Sequence, residues 1–94
     1  MPDSLRNSVL TFAKAMENEL LENAHKGSWV DLPIQYLLTR LDEEVAELRA
    51  EALCGNPCPV NTIKEAAGVA NFAMMIADRI CSDAFQEQQE NKKC

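Results

Sequence analysis

Glycine, proline and aromatic residues are scarce in this 94-residue chain, which has three Gly, four Pro, one Trp, one Tyr and three Phe. Hairpin turns and aromatic-rich strands are built from these types, so little material remains for an all-β domain. Positive charge is short as well: nine Lys+Arg face fifteen Asp+Glu, for a net charge of −6. A chain of that sign is not held on nucleic acid or anionic lipid by bulk charge, whereas divalent cations suit it. No apolar run approaches the roughly eighteen residues that a membrane span requires. The N-terminal MPDSLRNSVLTFAKAMENEL lacks the apolar core of a signal peptide. These absences predict no membrane, no nucleic-acid partner and a cytoplasmic location.

The cysteines Cys54, Cys58, Cys81 and Cys94 are even in number but do not read as a disulfide scaffold. No secretory segment precedes them, and long helical patterns fold without staples. Cys54-Gly-Asn-Pro-Cys58 could hold zinc with Cys81 and His25, the usual ligand types. The spacing is loose, however, and no second Cys pair follows. Reduced, mostly packed thiols are the expectation.

What is present is helical patterning. The hydrophobic fraction of 47% is that of a folded domain rather than a disordered chain, and the length allows one domain. A first segment, from about Ser4 to Lys26, puts Leu5, Val9, Phe12, Ala13, Met16 and Leu20 on one stripe. His25-Lys26-Gly27 reads as its end, with cations at the negative pole and Gly for a left-handed cap. Pro33 suits the first turn of a second helix, with Asp31 upstream to accept free amides. That segment runs to Leu53 and carries Ile34, Leu37, Leu38, Leu41, Val45 and Leu48 on one arc. Gly55-Asn-Pro-Cys-Pro59 breaks it. A third segment runs from about Asn61 to Phe85. Residues 1–85 therefore read as an all-α domain, and 86–94 as a polar tail, frayed or disordered.

On a helical wheel the third segment is apolar around most of its circumference, with Lys64, Asn71, Asp78 and Ser82 near the opposite pole. Such a helix needs cover on more than one side. Three long helices per chain supply it poorly, so a homo-oligomer (a dimer or tetramer) completing a four-helix-type bundle is expected.

Carboxylates supply the chemistry. Glu44 and Glu47 stand at i, i+3 along one flank of the second helix, and Glu65 falls inside the apolar face of the third. A buried ionised carboxylate is costly unless it is paired or binds a metal. Acidic groups from two helices facing a bundle core can build a divalent-cation site, and oxygen ligands favour magnesium or manganese. A plainer reading stands beside this one. Asp42, Glu43, Glu44, Glu47 and Glu51 also form an ordinary solvated acidic face with Arg40 and Arg49. Thr62-Ile-Lys-Glu65 matches a capping box, with Glu65 reaching back to the Thr62 amide.

Glu44-Val-Ala-Glu47-Leu, followed by Glu65-Ala-Ala-Gly68-Val-Ala-Asn-Phe-Ala-Met-Met-Ile-Ala-Asp78, resembles the MazG-like all-α nucleotide pyrophosphohydrolases. Their signature is E-x-x-E on one helix and E-x-x-D on the next. Asn23-Ala-His-Lys26-Gly-Ser-Trp29 and Leu37-Leu-Thr-Arg-Leu-Asp-Glu-Glu44 extend the likeness over residues 8 to 80. The family Asp falls at Gly68, a residue that costs about 1 kcal/mol against Ala inside a helix.

The resemblance implies magnesium-dependent hydrolysis of a nucleoside triphosphate to monophosphate and pyrophosphate. It makes Glu44, Glu47 and Glu65 metal ligands, with Glu44 and Glu47 catalytic and Glu44 alternatively the base that orients water. The sole histidine, His25, makes no nucleophilic triad with a Ser or Cys, and no glycine-rich phosphate loop is present. Lys26, Arg40 and Arg79 are then candidates to hold phosphate. Equally, Lys26 caps a helix and Arg40 pairs with Glu44 at i, i+4. Trp29 could stack on a base or cover the end of the bundle. Gly68 leaves a second functional expectation, a catalytically degenerate relative that binds nucleotide or protein without turnover.

Overall fold

Pro59 opens the longest helix among the described residues, in the first turn, where a missing N–H leaves no helical bond unmade. The computed structural model describes residues 5–91, with side chains through residue 84. Helix α1 is Asn7–Glu22, followed by a 3₁₀ turn at Ala24–Lys26; α2 is Ile34–Leu53 and α3 is Pro59–Asn91. No strand occurs among the described residues. The all-α expectation holds.

Several helix ends differ from expectation. Ser4 lies outside the described residues, and α1 begins at Asn7 after Arg6, which offers no side-chain cap. Asn23 closes α1 by turning its side-chain amide onto the Glu19 carbonyl at 2.9 Å. Gly27 has φ of 96° as expected of a glycine terminator, but its ψ of −179° is extended rather than left-handed helical. That region is open to almost no other residue. Pro33 stands just before α2, not in its first turn, and Asp31 provides no cap. The chain instead turns at Leu32, whose N–H donates to the Trp29 carbonyl at 3.1 Å. The α3 helix runs on past Phe85 to Asn91, through Gln and Glu residues of good helix propensity. Of the expected tail, residues 92–94 lie outside the described residues.

The start of α3 also removes the capping box. Thr62 is already inside the helix, and its hydroxyl donates to the Cys58 carbonyl at 2.9 Å. The Cys58 N–H is held by Glu51 Oε2 at 2.8 Å, which ties the last turn of α2 to the first of α3. Glu65 is thereby freed from any capping role.

Helix α3 is the common partner: α2 and α1 each pack on it, with no backbone approach between those two. Two residues of the polar row, Lys64 and Asn71, meet α1. Lys64 lies 3.5 Å from Glu22 and 3.9 Å from Glu19. Asn71, only 3% exposed, donates to the Met16 carbonyl at 3.0 Å. Polar side chains can serve a helix interface when each finds a partner across it.

The core is small. Leu37 and Ala67 are the fully buried apolar residues among those described, whereas Val9, Leu38, Val45, Ile63 and Ile80 remain largely exposed. Burying Leu37 contributes about 1.5–3 kcal/mol, and little else of its size is shielded. The free thiols Cys54, Cys58 and Cys81 are exposed, not packed as expected; Cys94 lies outside the described residues. Two of the exposed thiols flank the α2–α3 connection, where loop backbone leaves them uncovered.

Candidate metal centre

Glu44 and Glu47 occupy successive turns of α2, and Glu65 comes to meet them from the second turn of α3. One carboxylate oxygen from each lies within 4.8 Å of the others. Helix periodicity sets the first pair on one flank; the α2–α3 packing brings the third. Among the described residues this is the group of three or more ligand-type side chains that converges, and His25, Cys54, Cys58 and Cys81 form no such group.

The electrostatics are those of crowded acids. Burial pushes the Glu44 carboxyl above its ordinary range, the charge of Glu47 adds to this, and Arg40 opposes it. Burial also raises Glu65, followed by its hydrogen bond to Glu47 and the negative charges of Glu47, Glu44 and Glu51. Arg40 is the cation closest to hand. Its Nη2 is 3.3 Å from Glu44 Oε2, as the i, i+4 spacing predicted, and its Nη1 bonds Glu43. That bond to Glu43, against some burial, raises the Arg40 guanidinium further. The same group lies 5.2 Å from the centre of the Phe72 ring, an aromatic face that steadies it.

The carboxylates stand on the wall of a cavity of about 820 Å³ in the cleft between α1 and α2, floored by α3. Lys26, Trp29 and Arg40 line it, so the structure gathers them with Glu44, Glu47 and Glu65. Arg79 does not belong there. It donates to the Leu32 carbonyl and stands 4.0 Å from Asp83, so its charge supports the loop before α2. Trp29 lines the cavity while its indole N–H donates to Asp78 Oδ2 at 3.0 Å, so the ring is held by α3.

Sequence reasoning missed Lys64, Tyr36, Asn71 and Phe72, which line the same space. The signal available was the seven-residue spacing of Lys64, Asn71 and Asp78, which marks one helix face and is as compatible with a partner as with water. Asn71 is notable because its Oδ1 is buried without a hydrogen-bond partner. A buried acceptor of this kind calls for a water or a ligand donor.

Four carboxylates (Glu19, Glu44, Glu47 and Glu65) and three cations (Lys26, Arg40 and Lys64) line the cavity. A polyanion would therefore meet a wall of net negative charge unless a multivalent cation entered with it. Hard oxygen donors, converged and mutually repelling, are chemically suited to magnesium or manganese. No family model matches the chain, and no curated protein or solved structure matches it either.

Proposed function

We propose that this protein is a magnesium-dependent pyrophosphohydrolase of nucleoside triphosphates, acting as a homo-oligomer. The observation that carries the reading is the convergence of Glu44, Glu47 and Glu65 on one wall of a cavity that also presents basic and aromatic side chains. The likeness of the E-x-x-E and E-x-x-G blocks to MazG-like enzymes supplies the reaction class.

Glu44, Glu47 and Glu65 would hold the cation, with Glu47, the exposed member of the set, nearest to solvent and substrate. Bound there, a divalent cation supplies neutralisation of phosphate charge and acidification of water. Arg40 has five N–H donors, so those not engaged by Glu43 and Glu44 can take a phosphate oxygen. Lys26 and Lys64 add charge along the same wall, and Trp29, fixed by Asp78, offers a flat apolar surface to a base. Glu44, with one oxygen held by Arg40, would serve as a ligand or orient the attacking water.

Association is supported by apolar side chains left open on both helices: Leu38 and Val45 on α2, and Ile63 and Ile80 on α3, are exposed. A second copy against these faces would cover them.

The test is pyrophosphate release from a panel of nucleoside triphosphates with magnesium, run beside Glu47→Gln, which keeps shape and removes charge. Turnover by the natural protein and its loss in the variant is the expected result. Equal rates in both would discard the site. Gly68 favours one other reading, a module that binds nucleotide without turning it over; metal-dependent nucleotide binding with no pyrophosphate release would select it.

A further inference from the structure

Gly68 sits in the middle of α3, where its backbone is helical and nothing in its conformation demands glycine. Helix propensity argues against it there. Its surroundings differ from those of the other glycines. A Cβ on Gly27 or Gly55 would meet nothing within 4 Å, whereas one on Gly68 would lie 3.2 Å from Glu44 Cδ and well inside contact distance of Glu44 Oε1. The Glu44 carboxylate thus rests directly on the bare backbone of α3. Its other oxygen, Oε2, is held by Arg40 Nη2 at 3.3 Å. One oxygen is tethered and the other lies against Gly68.

One turn further along α3, Asn71 lines the same cavity, almost wholly buried, with Oδ1 unpartnered. The cavity that holds the carboxylate cluster thus also holds a buried acceptor with no partner among the described residues, as in a site built around something that binds.

We infer that Gly68 is the seat of the Glu44 carboxylate, and that Glu44, reaching over from α2, fills the space an acidic side chain at position 68 would occupy. This inference rests on the metal-centre reading. Gly68 is then a positioning residue, and the set of three carboxylates is complete because of it. A side chain at 68 pushes Glu44 aside. Since the atom displaced is the end of a flexible side chain, the fold survives while the convergence is lost. An Asp at 68 competes with Glu44 when both are present, and replaces it when Glu44 is cut back.

The experiment uses Mn²⁺ alone as probe, with binding to the full chain followed by electron paramagnetic resonance and folding by circular dichroism. Four proteins are compared: the natural chain, Gly68→Ala, Glu44→Ala, and Glu44→Ala combined with Gly68→Asp. Losing a positioning partner lowers metal affinity about ten- to a hundredfold, so Gly68→Ala should lose that much, and Glu44→Ala, which removes the ligand itself, at least as much, both keeping helix content. The combined variant should recover binding toward that of the natural chain, because the carboxylate count and the occupied space are restored. Natural-strength binding by Gly68→Ala, or a combined variant no tighter than Glu44→Ala, would overturn the seat and leave the metal centre standing. Absence of Mn²⁺ binding by the natural chain would overturn both.

Discussion

The indole N–H of Trp29 donates to Asp78 Oδ2 at 3.0 Å, joining the loop before α2 to α3 across 49 residues of chain. The bond ties Trp29, which lines the cavity, to α3. It is a partly exposed bond between a neutral donor and a charged acceptor.

Asp78→Ala should cost stability only slightly, about 1 kcal/mol or less for an exposed hydrogen bond, but should release the indole. Trp29 is the sole tryptophan, so quenching of its fluorescence by acrylamide reports on it directly. Greater quenching in the variant at unchanged helix content is the expected outcome. Equal quenching would mean that packing alone holds the ring.

Metal and pH should be linked. The Glu44 and Glu65 carboxyls lie above their ordinary value of 4.5, through burial first and then through neighbouring negative charge. The folded state therefore binds protons more tightly than the unfolded chain. Their stabilising contribution is full below that ordinary value and is lost as pH rises through the raised values. Magnesium should act in the opposite sense, with little effect at pH 4 and a growing one toward neutrality. At a hundred times the dissociation constant it would add about 2.7 kcal/mol. Thermal melts across pH, with and without metal at fixed ionic strength, check this; a shift independent of pH would contradict it.

Asn71→Ala should loosen α1. The change deletes the bond to the Met16 carbonyl, which keeps its partner within α1, and removes the unpartnered Oδ1 with it, a loss of about 0.5–1.5 kcal/mol. Hydrogen exchange should speed up over Asn7–Glu22 more than over α2, because α1 packs on α3 and not on α2. Uniform acceleration over all three helices would show that α1 does not open separately.

The protein should sediment as a dimer or tetramer at micromolar concentration. Ala73, Ala77 and Ile80 are exposed at helical spacing on α3, and Leu38 and Val45 on α2. A charge placed there, as in Ala73→Arg, should favour the monomer without unfolding it. A natural chain that sediments as a well-folded monomer would contradict the assembly.

Much of the fold is legible because helices are written locally. Apolar residues at helical intervals, and the Gly and Pro residues at positions 55, 57 and 59, mark α1, α2 and the start of α3 to within a few residues, whereas α3 runs on past Phe85 to Asn91. The same logic placed Glu44 beside Glu47 and Arg40 one turn before Glu44. It set Lys64, Asn71 and Asp78 on one face of α3 but not their partners, because a wheel records which residues share a face and not what that face meets. Glu65 was ambiguous for a related reason. Its capping role depended on where α3 begins, and a start at Pro59 leaves Thr62 a turn inside the helix.

The amino-acid order by itself determined an all-helical chain, acidic overall, with paired carboxylates on one flank of α2 and a third helix apolar around most of its circumference. Period, propensity and charge are properties of neighbours in sequence, so they can be read without coordinates. Only the tertiary structure decided that α1 packs on the polar row of α3, that Trp29 is pinned by Asp78, and that Arg79 supports a loop rather than the cavity. It alone shows the space above Gly68 taken by Glu44 from another helix. By the wheel alone, an Asp at 68 would simply have stood beside Glu65. Whether two side chains compete for one volume depends on how helices cross, and no spacing within a single helix contains that.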